Sequence, residues 1–202
     1  MKRELSRKAF HVASVALPVF AWLAPRPVAL AVLLLIAVAA LVVDVARLRW
    51  RWARYHFLRL TRTLLRPRER DGLAGATYMA VAYAGAFVAL PTPHAVAAML
   101  YNGLGDAAAA LVGKRWGRHR TAWGKSWEGF GAALATNLGV GMAVGALDPR
   151  FPAAAVVAGA VAAAALEFAP LPLDDNLRVT LGGGAAAWLA SALAWGSLTL
   201  PG

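Results

Sequence analysis

The chain has 202 residues, 60% hydrophobic and only 15% charged, with a mean hydropathy of +0.57 and a formal net charge of +11. A soluble domain of this length breaks its apolar runs with polar faces. Here the runs reach the roughly 20 residues a helix needs to cross a bilayer, so the chain reads as an all-α integral membrane protein. Cysteine is absent, which excludes disulfides and cysteine-ligated metal sites.

In chain order, the basic start Met1–Lys8 precedes a first apolar span, 9–24, which reads as a retained helix rather than a cleaved leader because further spans follow it. The next span is 28–46. After it the segment 47–72 interleaves arginines with Trp50, Trp52, Tyr55 and Phe57, as an interfacial anchor would. The remaining spans are 73–90, 94–112, 128–147, 152–169 and 178–199, giving about seven transmembrane helices in one polytopic domain, 1–202. All 21 lysines and arginines except Arg26 and Arg150 fall at the N-terminal end or in alternate connections. That bias marks the cytoplasmic side and sets the N-terminus inside. The charge therefore reports topology, and with no recognition motif beside it nucleic acid is not the partner.

The topology brings acids from separate spans to the cytoplasmic face. Asp106 sits among alanines two turns inside the fourth span, Asp44 near the inner end of the second, and Glu167 just before Asp174-Asp175-Asn176. An acid at membrane depth is a functional-site hypothesis by default. The catalytic elements are 102–129 and 167–178. In the first, Asn102-Gly103-Leu104-Gly105-Asp106 is followed by Gly113-Lys114-Arg115 and by Gly124-Lys125-Ser126-Trp127-Glu128-Gly129. A carboxylate with lysines and glycine turns close behind it suits a metal–polyphosphate site. The metal neutralises phosphate oxygens, lysines act as point charges, and glycine lets backbone approach.

Other motifs fail. Gly124-Lys125-Ser126 is not a P-loop, because His119 stands where that loop needs its first glycine and no strand precedes it. Gly103-x-Gly105 alone does not make a dinucleotide fold, and Gly182-Gly183-Gly184 reads as close helix packing. His11, His56, His94 and His119 lack metal-ligand spacing.

The chain resembles the dolichol kinase/phytol kinase group of CTP-dependent lipid-alcohol kinases, polytopic relatives of the phosphatidate cytidylyltransferases. The resemblance runs along essentially the whole chain. It is carried by Glu4-Leu5-Ser6-Arg7-Lys8-x-x-His11, by Asp71-Gly72-Leu73-Ala74-Gly75-Ala76-Thr77-Tyr78, by Gly105-Asp106-x-x-Ala109-x-x-x-Gly113-Lys114-x-x-Gly117 with Lys125-Ser126-x-Glu128-Gly129, and by Glu167 with Asp174-Asp175-Asn176. Phe130 departs from the small residue usual in these kinases, and Trp127 leans towards the cytidylyltransferases. The cytidylyltransferase signature before Asp-Arg-x-Asp-Ser is absent.

The resemblance implies CTP as phosphoryl donor, a divalent metal, and a long-chain isoprenoid alcohol acceptor (dolichol or another polyprenol, phytol or geranylgeraniol) in the cell's cytoplasmic membrane. The assignments that follow are Mg²⁺ on Asp106 with Asp174 or Asp175, and polyphosphate on Lys114 and Lys125, with Arg115 in support. Asn102 and Asn176 orient metal-bound water or ribose, Gly105 admits the backbone, and Glu128 positions Lys125 or caps the next helix. Asp106, Lys125, Asp175 and Glu167 form the catalytic set, with Glu167 and Asp44 as the candidates for general base. A phosphatidate-type cytidylyltransferase and a membrane transporter are the competing classes, and the sequence leaves a homodimer open.

Overall fold

The computed structural model describes residues 13–61, 65 and 67–196, and among them every element is helical apart from a bridge between Arg120 and Ser126. The N-terminal element Glu4-Leu5-Ser6-Arg7-Lys8-x-x-His11 lies outside the described residues. Helix α1 (Ala16–Leu23) ends at Ala24, held extended ahead of Pro25. Helix α2 (Arg26–Arg49) carries Pro27 in its first turn, where a missing N–H costs nothing. It buries Ala29, Leu33, Ala37, Asp44 and Arg47, spaced to share one face. The other face exposes Leu35, Val38, Val42 and Val45, a surface suited to lipid rather than water.

Short α3 (Arg51–Thr61) buries nothing. Trp52 and Tyr55 stand exposed on it, and Arg54 reaches Asp71 at 2.7 Å, as an interfacial element would arrange them. The chain returns through the 3₁₀ turn Pro67–Arg70 into α4 (Gly75–Ala89). The return is fixed by a buried pair. Arg47 bonds Asp44 and donates to the carbonyls of Glu69 at 3.0 Å and Gly72 at 2.6 Å, while Asp44 Oδ2 accepts from the Ala74 N–H at 2.7 Å. Both carboxylate oxygens of Asp44 are thus committed to structure, and Asp44 is not available as a general base.

Helices α5 (Thr92–Leu100) and α6 (Asp106–Arg115) are joined without a break by the π-helical turn Tyr101–Gly105. Then come α7 (Trp127–Leu147), α8 (Ala153–Phe168) and α9 (Asp175–Trp195). Each expected span has its helix, but among the described residues four are long and apolar enough to cross a bilayer: Arg26–Arg49, Thr92–Arg115, Trp127–Leu147 and Asp175–Trp195. Gly75–Ala89 and Ala153–Phe168 are shorter, at 15 and 16 residues. At 1.5 Å per residue they fall short of the ~30 Å hydrocarbon thickness. For α4 the shortness has a physical reason. Tyr83, Phe87, Met79 and Ala82 are all buried, so the helix lies inside protein and its connections find protein partners rather than lipid. Behind it, Gly183 and Gly184 of α9 lie against Ala163 and Ala98, the close packing that the glycine triplet predicts.

The helix ends alternate between two chemically distinct poles. At one, Asn176 donates to the Gly75 carbonyl at 3.3 Å and Trp123 Nε1 to the Phe168 carbonyl at 2.9 Å, so ends of α4, α7, α8 and α9 meet there. The basic connections cluster at this pole. At the other, Arg26 clamps the Phe87 and Leu90 carbonyls at 2.6 and 3.1 Å, His94 Nε2 meets Ser191 Oγ at 2.7 Å, and Arg150 pairs with Asp148 at 2.7 Å. The two exceptions to the charge bias are therefore both engaged locally, and His94 is a packing group.

Candidate active site

Asp106 opens α6 immediately after the π turn, a helical irregularity that recurs at functional sites. The turn packs so tightly on α7 that a Cβ on Gly105 would come 2.4 Å from Asn137 Oδ1. Gly105 is thus required for helix approach, and that accounts for its place better than nucleotide contact does. From the same turn, buried Asn102 donates to Asn176 Oδ1 at 3.0 Å. Asn176 in turn donates from its side chain to Asp174 Oδ1 at 2.9 Å, and Asp174 caps α9 by accepting the Asn176 N–H at 3.0 Å. The two asparagines form a seam that fixes the π turn to the α9 N-terminus, one residue from Asp175.

The segment between α6 and α7 folds back to deliver Lys125. Gly124 takes φ +86°, which glycine adopts without strain, and the Lys125 carbonyl accepts from the Thr121 N–H at 2.8 Å. Arg120 ties the segment to the α6 terminus through the Gly113 carbonyl at 2.8 Å. Ser126 caps α7 through the Gly129 N–H at 3.1 Å, and a Cβ on Gly129 would sit 2.8 Å from the Ala109 carbonyl. Glu128 does not touch Lys125. Its Oε1 accepts from the Arg118 and His119 N–H groups, both at 3.1 Å, and meets His119 Nδ1 at 2.7 Å. The result is a rigid arm that presents Lys125 towards α8 and α9.

There the lysine bonds Glu167 twice, at the backbone carbonyl and at Oε1 (2.8 Å), and stands 4.0 Å from Asp175 Oδ2. Asp175 is also paired with Arg178, whose other nitrogen holds the Ala169 carbonyl. Around this centre lies a cavity of about 220 Å³ walled by Asp106, Lys114, Arg120, Lys125, Glu167 and Asp175, with Ala109, Ala110, Phe130 and Phe168 adding carbon surface to its lining. A second cavity, about 430 Å³, shares Lys125 and Asp175 and extends over Glu69, Tyr78, Trp123, the 169–173 loop and Asp174. The first is smaller than the 300–1,000 Å³ usual for ligand pockets; the two together reach that range.

Could this site hold a metal? Among the described residues no three His, Asp or Glu side chains group closely enough to hold an ion by themselves. Magnesium does not require such a cage, since it binds through one or two carboxylates and completes its shell with waters and substrate phosphates. Asp106 and Asp175, from separate helices and facing one cavity, fit that mode.

The expected site residues divide accordingly. Asp106, Lys114, Lys125, Glu167 and Asp175 share the first cavity. Asp174 lines only the second and serves as a helix cap. Arg115 lies over the Trp116 ring, 5.2 Å from its centroid, and does not line the cavity. Asn102, Asn176, Gly105 and Glu128 position the site without walling it. Sequence reasoning missed Arg120, counted there only as topological charge, and the aromatic walls Phe130 and Phe168. It also missed the π turn, whose signal was Gly103-x-Gly105 inside an apolar run.

With this geometry in hand, comparison with known proteins finds one informative relative. The chain is 39% identical over 116 residues to a phytol kinase of Synechocystis sp.; the match takes in 54% of this chain and 50% of that one, so it spans about half the length of the relative. No protein-family model matches the chain, and no solved structure does.

Proposed function

We propose that the chain belongs with the phytol kinase it resembles over 116 residues, and that it transfers the terminal phosphate of CTP to the hydroxyl of a membrane isoprenoid alcohol at the cytoplasmic face. The observation that carries the reading is Lys125, held between Glu167 and Asp175 in a cavity that also collects Asp106, Lys114 and Arg120. Phosphoryl transfer has a loose transition state, so catalysis is mainly positioning and charge neutralisation. Lys114, Lys125 and Arg120 neutralise the polyphosphate, and the rest of the nucleotide extends into the second cavity. Asp106 and Asp175 would hold Mg²⁺, which when bound supplies further charge neutralisation at the phosphates. The alcohol oxygen attacks the terminal phosphorus, the bond to the bridging oxygen breaks, CDP leaves, and the hydroxyl proton passes to Glu167.

Incubation of the purified protein with Mg²⁺, mixed polyprenols, phytol, geranylgeraniol and diacylglycerol tests this, with CTP labelled at either the α or the γ phosphate. The γ label is expected in an isoprenoid product, with none from α. Transfer of α label to added phosphatidate, with no γ transfer to any alcohol, would mean a cytidylyltransferase instead. Sidedness is tested separately, because the chain has no native cysteine to confuse labelling. In intact cells an impermeant maleimide is expected to modify Arg150→Cys and to spare His119→Cys; the reverse pattern would invert the proposed topology.

A further inference from the structure

Four aromatic rings converge beside the catalytic cavity, and the transfer chemistry above uses none of them. Phe168, the last residue of α8, has the Trp127 ring at 4.7 Å, Phe130 at 5.3 Å and Trp123 at 5.9 Å. Trp127 lies 5.9 Å from Phe130. The cluster is graded. Phe130 and Phe168 are partly buried and wall the cavity itself, whereas Trp127 is 58% exposed on the outside of the bundle. Ala109 and Ala110 of α6 also line the cavity and add only methyl groups. The cavity lining is therefore mixed, with Lys125, Glu167, Asp106 and Asp175 supplying charge and Phe130, Phe168, Ala109 and Ala110 supplying carbon surface.

The polyphosphate accounts for the charged groups, and with the rest of the nucleotide in the second cavity the carbon surface of this one is left for another ligand. The wall continues outward through exposed Trp127, one helical turn from Phe130, to the level where tryptophan rings favour the membrane–water interface. A ligand that uses both kinds of surface must have a polar head and an apolar body arriving from lipid. We infer that the Trp127–Phe130–Phe168 wall seats the hydrocarbon chain of the acceptor alcohol next to its hydroxyl. Phe130, on the cavity wall and flanked by both other rings, sets the preference for a methyl-branched first unit over a straight chain. This rests on the kinase reading for the identity of the alcohol, while the seat itself rests on the geometry. Flat rings pack well against branched isoprenoid units, and trimming one opens a gap that a thin linear chain tolerates as well as a branched one.

Two measurements on the purified full chain in nanodiscs test the seat, and neither depends on the other. The first is photo-crosslinking with a diazirine-bearing geranylgeraniol analogue, mapped by mass spectrometry. Modification within Trp127–Phe130 or at Phe168, competed by unlabelled phytol, is expected. Modification elsewhere, or labelling that phytol does not compete, would overturn the seat. The second is steady-state kinetics of Phe130→Ala and Phe130→Leu with geranylgeraniol, phytol and hexadecanol. Phe130→Ala should raise KM for the isoprenoids about tenfold and erase their advantage over hexadecanol, with KM for CTP within twofold of wild type. Phe130→Leu should keep most of the preference. An unchanged acceptor preference, or an equal rise in KM for CTP, would refute the role of Phe130. Crosslinking at the wall by a protein that phosphorylates no alcohol would uphold the seat and defeat the kinase reading, so the two failures are distinguishable.

Discussion

Lys125→Ala is expected to cut kcat/KM for CTP by about 100-fold and also to weaken the fold. The catalytic part follows from its place in the cavity. A charge-assisted hydrogen bond to a phosphate is worth about 1.5–3 kcal/mol, or one to two decades of rate. The structural part follows from its partners. Lys125 bonds Glu167 at both its backbone and its side chain, and Glu167 is only 8% exposed, so removing the lysine strands a buried carboxylate. Breaking a fully buried pair costs about 3–5 kcal/mol. The lysine side chain is 27% exposed, so we expect roughly half of that, seen as a lower melting temperature of the purified protein. The double variant Lys125→Ala/Glu167→Gln isolates the structural part. It should recover most of the stability, because the amide no longer carries an unpaired charge, while turnover stays lost with both the lysine and the proton acceptor gone. Wild-type kcat/KM in Lys125→Ala would remove the lysine from the phosphate site.

Much of this site is legible in the sequence because topology is. Apolar run length and proline-bearing turns fix which helix ends lie together, and that alone sends Asp106, Lys125, Glu167 and Asp175 to one pole of the bundle. What the sequence does not reveal is how the segment 113–126 folds back. Glu128 sits next in line to the cap of α7, and proximity in sequence makes it look like a partner of Lys125. Its actual partners, the N–H groups of Arg118 and His119, come into reach only once Gly124 has reversed the chain. Arg120 is hidden for the same reason, since a loop arginine looks like a topological charge until its bond to the Gly113 carbonyl brings it to the cavity wall.

The π turn is illegible for a different reason. Helical periodicity is scored over two or three turns, and one extra residue within Tyr101–Gly105 shifts the register without interrupting the apolar run. The shift nonetheless decides the angle from which Asp106 enters the cavity. Span length hides a different feature. Hydropathy cannot distinguish a helix that faces lipid from one enclosed by its neighbours, so the span 73–90 finds its helix at Gly75–Ala89 while its enclosure stays illegible.

Three aspartate variants divide the metal site from the scaffold around it. Asp106→Asn keeps size and shape, and should fold and insert normally. It should nevertheless lower kcat by about 10³-fold or more, because a carboxylate that holds a divalent ion beside the transferring phosphate supplies several kcal/mol, on the order of 4, at about 1.4 per decade. The loss should persist at saturating CTP and Mg²⁺, since an amide does not provide the missing charge. Asp175→Asn should fall as far in rate and also lose stability, because Asp175 anchors Arg178, and Arg178 holds the Ala169 carbonyl of the loop before α9. Asp174→Asn is the control. Asparagine caps a helix about as well as aspartate, and Asp174 faces only the second cavity. Its kcat should stay within about twofold of wild type, as the near-equivalence of the two caps requires. The measurement is kcat at saturating CTP over a Mg²⁺ titration, with melting temperatures alongside. Near-normal kcat in Asp106→Asn at high Mg²⁺ would end the metal assignment, and a collapse of kcat in Asp174→Asn without loss of stability would move the ion to the α9 cap. The expected order, Asp106 and Asp175 essential and Asp174 dispensable, is one that adjacent aspartates in a sequence could never suggest. It follows from α9 beginning between them, which turns one carboxylate to the helix end and the other to the cavity.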